Sequence, residues 1–200
     1  MTPAMDELWL VRHGATEWSI SRQHTGRTDL ELLPEGVHEA KLLGEALRGR
    51  RFGAVFSSPL RRARDTAALA GFPEPHIDED LLEWDYGDYE GLTGDQILAD
   101  RPDWDLWIDG CPGGESPDQV FARCERFLAT ASRFPGAVLV FGHGHLSRAL
   151  AGCFLKLERV SALGKIEAAS LCVLGWEKDL AAVKRWNLDC HLDPGAGAGT

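Results

Sequence analysis

The 200-residue chain reads as an α/β protein, a three-layer α/β/α sandwich built on a mostly parallel sheet. Three observations predict this. Short apolar runs alternate with longer segments of helical periodicity. Three of those runs end directly in polar or glycine-containing turns. The last two runs, 169–176 and 181–186, read as an antiparallel hairpin at one edge of the sheet.

Leu8-Trp9-Leu10-Val11 is apolar throughout, as a strand buried on both faces should be. A polar loop is expected from there to Leu33. Pro34 opens a helix with Val37, Ala40, Leu43 and Leu47 on one face. Ala54-Val55-Phe56 predicts a second buried strand. Ser57-Ser58-Pro59 leads from it into a helix through Leu60, Ala63 and Ala67, with Ser58 as the cap. Residues 72–115 are rich in Gly, Pro, Asp and Trp and read as loop, with a short helix near 94–100. Ser116-Pro117 starts a long helix with Val120, Cys124, Phe127, Leu128 and Ala131 on its inner stripe. Residues 137–141 predict a third buried strand. It runs straight into Gly142-His143-Gly144 and a helix carrying Leu146, Ala149, Leu150 and Cys153. Residues 1–193 form one domain on this reading, and the Gly/Ala tail 194–200 is expected to be disordered.

The net charge of −10 leaves no basic footprint for nucleic acid. It also requires that any anion site be a local cluster of cations in an acidic surface. No apolar run is long enough to span a bilayer, and the acidic start lacks the pattern of a secretory signal, so a cytoplasmic location is expected. Five cysteines without a C-x-x-C pair argue against a disulfide framework or a zinc knuckle. Cys124, Cys153 and Cys172 read as core residues. The oligomeric state is left open, with a homodimer as one option.

Ligands of parallel sheets bind beyond the carboxyl ends of the strands. That rule selects Arg12-His13-Gly14, Ser57 to Arg62, and Gly142-His143-Gly144, which are far apart in sequence. Two histidines and two arginines at one sheet edge suit a dianionic phosphoryl group, because guanidinium forks grip phosphate oxygens in pairs. A neutral imidazole attacks phosphorus when an acceptor holds its other nitrogen. Gly14 and Gly144 would let the backbone approach the ligand, with free helix N–H groups favouring the anion. Glu83 is the expected proton donor to the leaving alkoxide, with Trp84 and Tyr86 shielding it from water. His143 and His145 also form an H-x-H pair, but no acidic or Cys ligand is spaced to complete a metal site. His24, His38, His76 and His191 read as surface residues, with His24 beside Thr25 at a pocket rim. Trp104 and Trp107 read as a small hydrophobic cluster, with a lid as the alternative. Arg61 and Arg64 read as a solvated helix face.

The stretch Leu10-Val11-Arg12-His13-Gly14-Ala15-Thr16-Glu17-Trp18 resembles the signature of the histidine phosphatase superfamily, in its phosphoglycerate mutase-like branch. Four further blocks follow in family order: Thr25 to Gly36, Ser57 to Ala67, Glu83 to Gly91, and Phe141 to His145. The resemblance implies a phosphoglycerate mutase-like fold and a set of roles. His13 would become phosphohistidine, while Arg12, Arg62 and His143 hold the phosphoryl group. Glu83 would act as general acid and then as general base. Ser19, Thr25, Gly26, Tyr86 and Gly144 fall where the family lines its substrate pocket. No metal is implied.

Two departures point to a phosphatase acting on small phosphorylated metabolites such as sugar phosphates. The family's mutases carry Asn where this chain has Ser19. They also carry a long insert with paired arginines between the acid and the second histidine, which is missing between Glu83 and His143. A site lacking that insert is more open to water. The segment from Glu83 to Gly91, with Asp109-Gly110-Cys111 and Gly114-Glu115-Ser116, is similar to broad acid phosphatases and sedoheptulose-bisphosphatase-type members. No cofactor is expected. The alternative, a phosphoglycerate mutase, would need 2,3-bisphosphoglycerate. An alternative of another class is a catalytically inactive protein that binds phosphorylated ligands or a partner.

Overall fold

In a computed structural model, which describes residues 4–192, six strands form one sheet. They are β1 (Met5–Arg12), β2 (Ala54–Ser57), β3 (His76–Ile77), β4 (Gly136–Gly142), β5 (Leu171–Glu177) and β6 (Leu180–Leu188), in spatial order β3-β2-β4-β1-β5-β6. The first four run parallel. Antiparallel pairing is confined to the side of β5, which opposes both β1 and β6. The helices are α1 (Glu17–Ser21), α2 (Pro34–Leu47), α3 (Arg61–Leu69), α4 (Gly94–Asp100), α5 (Leu106–Asp109), α6 (Pro117–Ala131) and α7 (Gly144–Leu155). The expected tail at 194–200 lies outside the described residues.

Side chains on a strand alternate between faces, so each central strand feeds two cores. Leu8 and Leu10 of β1, with Val138 and Val140 of β4, pack against α6 and α7 through Val120, Cys124, Phe127, Leu146 and Leu150. Trp9, Val11, Leu139 and Phe141 face the other way, against Leu43 and Leu47 of α2 and Ala67 of α3. Helices on both faces of a parallel sheet complete the three layers. All five cysteines are free; Cys124 and Cys172 are buried and Cys153 is half-buried.

Local chemistry explains where the structure departs from the sequence reading. The polar stretch before Leu33 contains α1, which buries no residue and so has no apolar stripe to reveal it. A reciprocal capping box between Thr16 and Ser19 forms it instead. β3 is two exposed residues added at the sheet edge, too short for a pattern. Ser58 is not the cap of α3; the cap is Leu60, which makes no side-chain cap bond. α6 does start as expected, with Ser116 and Gln119 in a capping box and Pro117 in the first turn.

The loop-rich 72–115 segment is held by one residue the sequence reading passed over. Arg123 continues the inner stripe of α6 three residues after Val120, and it is 5% exposed. Its Nε and Nη2 donate to both carboxylate oxygens of Glu115, at 2.8 and 3.0 Å. Its Nη1 donates to Asp80 O at 2.8 Å and Leu82 O at 2.6 Å. Glu115 Oε2 also accepts from the Asp85 N–H at 2.9 Å. Arg123 thus braces the segment on both sides of Glu83, alongside Arg126 on Asp80 and Arg27 beside Asp85 and Glu115. Arg123→Met should destabilise the fold by about 3 kcal/mol, because it strands a largely buried carboxylate and two carbonyls. The shift of a urea unfolding midpoint measures this, and a loss below about 0.5 kcal/mol would contradict the bracing role.

Candidate active site

β1 ends at Arg12, so His13 sits just beyond the centre of the sheet. The His13 N–H donates to Gly142 O at 3.0 Å, and its own carbonyl accepts from the Ala169 N–H at 3.1 Å. His13 Nδ1 lies 2.8 Å from Gly14 O. A carbonyl only accepts, so Nδ1 carries the proton and Nε2 keeps the lone pair. Burial, then the charges of Arg62 and Arg12, hold the His13 pKa well below the usual 6.5. The imidazole is neutral at physiological pH.

Arg62 is fully buried, whereas Arg61 is half-exposed and pairs with Glu31 and Asp65. Arg62 Nη1 donates to Thr28 O at 2.8 Å, and Nη2 to Thr25 O and Gly26 O at 3.0 Å each. Burial lowers its pKa from the ordinary value, opposed first by the charge of Glu83. Gly26 permits this arrangement because a Cβ there would lie 2.4 Å from Trp84 O. Gly14 differs from expectation. Its N–H donates to Thr66 Oγ1 at 3.0 Å, and a Cβ would lie 2.5 Å from Gly36 O. Its small size thus serves chain packing, and its amide is already engaged.

β4 runs directly into α7, with His143 between them in extended conformation. His143 Nε2 lies 2.8 Å from Ser58 Oγ. That hydroxyl also accepts from the Leu60 N–H at 3.3 Å. Ser58, expected as a helix cap, instead engages this imidazole. Burial, then Arg62 and His13, hold the His143 pKa well below normal. The His13 and His143 ring centroids are 5.3 Å apart.

Three buried nitrogens in this cluster have no hydrogen-bond partner: Arg12 Nε, Arg62 Nε and His143 Nδ1. The two guanidinium nitrogens are donors. An unpaired buried donor costs about 1–3 kcal/mol, so the pair marks a place built for an acceptor. Arg12 itself is propped from behind, with Nη1 donating to Ile166 O at 2.7 Å.

Glu83 is 4% exposed. Its Oε1 accepts from the N–H groups of Trp84 (3.0 Å) and Leu146 (2.8 Å), and Oε2 from His145 N–H at 3.1 Å. Two amides in the first turn of α7, those of His145 and Leu146, are therefore occupied by this carboxylate. Trp84 contributes its amide rather than a shielding ring, since its indole donates to Glu115 O at 2.9 Å and packs on Trp107.

A cavity of about 260 Å³ opens above His13. Arg12, His13, Ser19, Thr25, Glu83, Tyr86 and Gly144 line it. Arg62, His143 and Gly26 are buried and are not among its lining residues. Ser19 is at the wall, but its hydroxyl both accepts from Thr16 N–H (2.8 Å) and donates to Thr16 O (2.9 Å). The wall also includes Arg22, His145, Arg148 and Lys165, which the sequence reading did not select as pocket residues. His24 is part of it too, its ring stacked at 8° on that of His145. His145 Nδ1 lies 2.6 Å from the Tyr86 hydroxyl. His143 and His145 are thus committed to different partners, and no group of three His, Cys, Asp or Glu gathers as metal ligands among the described residues. Trp104 packs on Tyr89 and His24, and Trp107 on Trp84 and His145, as a cluster beside the cavity.

The chain is similar to known phosphatases. The acid phosphatase of Mycobacterium tuberculosis is 38% identical, over 94% of this chain and 95% of its own length. The sedoheptulose 1,7-bisphosphatase of Saccharomyces cerevisiae is 35% identical, over 74% of this chain and 67% of its own. A solved structure from an open reading frame of Mycobacterium tuberculosis superposes with a TM-score of 0.86 at 38% identity, covering 92% of this chain and 97% of that one. The family model for the histidine phosphatase superfamily (branch 1) matches residues 8–189, and the chain belongs to that family.

Proposed function

We propose that the protein hydrolyses phosphomonoesters of small metabolites, such as sugar phosphates, through a phosphohistidine at His13. One observation carries the reading: a neutral imidazole with its lone pair on Nε2 feels the charges of two arginines whose buried Nε–H donors are unpaired, and lies beside a second imidazole whose Nδ1 has no partner. Arg12, Arg62 and His143 would bind the phosphoryl oxygens and stabilise the charge that spreads over them during transfer. His13 Nε2 attacks phosphorus, and the ester P–O bond breaks. Gly14 O steadies the imidazolium that forms, through Nδ1–H. Glu83 gives a proton to the leaving alkoxide and then takes one from the water that attacks the phosphohistidine. The products are the alcohol and inorganic phosphate, and His13 is restored.

The reading needs no metal and no organic cofactor, because arginines supply the fixed positive charge. Hydrolysis is favoured over mutase chemistry because the chain lacks the insert that would close the site against water. With its acidic surface, the enzyme would act on soluble metabolites of the cytoplasm.

Rapid quench after mixing with labelled substrate should leave acid-labile, alkali-stable phosphate on His13. His13→Ala should remove the label and lower turnover by roughly a thousandfold or more. Label on a serine would exclude the scheme. Glu83→Gln should slow alkyl phosphates by about 10²–10⁴-fold, and p-nitrophenyl phosphate much less, because nitrophenolate leaves without a proton. Equal slowing of both would remove Glu83 as the acid.

His13, His143 and His145 are each held well below the usual 6.5, first by burial. Below about pH 6.5 the unfolded chain therefore binds protons that the folded chain refuses. Stability should fall as pH drops from 7 towards 5.5, and His143→Gln should flatten part of that slope. A melting temperature that rises on acidification through this window would contradict the assignment.

A further inference from the structure

The chemistry at His13 leaves one wall of the cavity unused. Arg148, on the second turn of α7, Lys165, in the loop before β5, and Arg22, at the end of α1, all line it. None of the three takes part in an ion pair among the described residues. In a chain of net charge −10, three cations without carboxylate partners converge on one cavity, a local cluster of the kind an anion would fill.

Arg148 is the best built of these. Its guanidinium carbon lies over the Trp107 ring, 4.8 Å from the ring centre. Its Nε is buried with no partner, and its one hydrogen bond, Nη2 to Ser161 O, is long at 3.4 Å. The fork is thus held in place by packing, with donors to spare.

The cations also divide into two groups. His13 feels the charges of Arg62 and Arg12, whereas the fixed cations acting on His145 are Arg148, Arg12 and Lys165. Arg12 stands between the groups. Neutral polar side chains accompany the second group: His24, with Nδ1 donating to Leu92 O at 2.8 Å, and the Tyr86–His145 pair at 2.6 Å. Burial keeps the Tyr86 phenol protonated and both imidazoles neutral. Such groups hydrogen-bond hydroxyls. The acids on the wall are Glu83, already held by amides of α7, and the exposed Glu167.

We propose that Arg148 and Lys165, with Arg22 at the mouth, form a second anion subsite, so that the preferred substrates are hydroxylated phosphomonoesters carrying another anionic group away from the reacting phosphate. This deepens the phosphatase reading and rests on it. The second anion is a phosphate or a carboxylate, and both are held by the same donors.

Four esters separate the cases: fructose 1,6-bisphosphate, 3-phosphoglycerate, fructose 6-phosphate and p-nitrophenyl phosphate. The wild type should prefer at least one of the first two over fructose 6-phosphate by about tenfold or more in kcat/KM. The double variant Arg148→Met, Lys165→Met should lose that preference, mainly through KM. Its loss on the doubly anionic ester should exceed its loss on p-nitrophenyl phosphate at least tenfold. Arg148→Lys should recover part of it. Whichever ester suffers more identifies the second group. Equal losses on all esters, or no wild-type preference, would overturn the subsite. If the wild type releases phosphate from none of the four, the phosphatase reading falls. Calorimetric affinities for fructose 1,6-bisphosphate and fructose 6-phosphate then decide the subsite without turnover: a ratio lost in the double variant supports it, and an unchanged ratio removes it.

Discussion

Arg62 is a cation with no exposed surface whose hydrogen bonds go to three backbone carbonyls and to no carboxylate. Burying an unpaired charge costs several kcal/mol, so the surrounding chain must be arranged to tolerate it. The carbonyls come from residues 25–28, and that turn is itself held from outside. Glu90 accepts from the N–H groups of Gly26 and Thr28, at 2.9 and 3.0 Å. His24 N–H and Gly91 N–H exchange bonds with Leu92 O and His24 O. Thr66 then ties the carbonyl of Arg62 to the amide of Gly14 beside His13. The loop after β1, the loop after Glu83 and helix α3 are thus coupled by the need to hold one guanidinium.

The same economy of partners sets the chemistry of the other groups. The two central imidazoles are neutral because they are buried among cations; the tautomer of His13 is set by a carbonyl, and His143 is held by a serine. The His145 and Leu146 amides of α7 hold Glu83, so the carboxylate and His143 are mounted on the same short piece of chain. Their spacing therefore does not depend on the mobility of long side chains.

Much of this was legible in the sequence where a residue's environment is dictated by its own element. β1, β4, α2, α6 and α7 carry apolar patterns because each buries a face. α1 and β3 bury nothing, and periodicity is silent about them. Arg62 was separable from Arg61 by motif, whereas the burial of Arg123 was signalled only by its place on the inner stripe of α6. The roles of Ser58 and Gly14 were misjudged because their partners, His143 and Gly36, are distant in sequence. The cations of the outer wall left no local trace, since Arg22 and Lys165 are exposed residues brought together only by the fold.

The use of carbonyls to hold Arg62 bears on how the chain tolerates change. A side-chain anchor disappears with one substitution, but every residue type brings a carbonyl. Positions 25 and 28 can therefore drift in identity while the grip on the guanidinium persists, provided the turn keeps its path. The vulnerable point moves to Gly26, where any larger residue would strike Trp84 O. Heritable damage to this anchor would come through the shape of the main chain rather than through loss of a functional group.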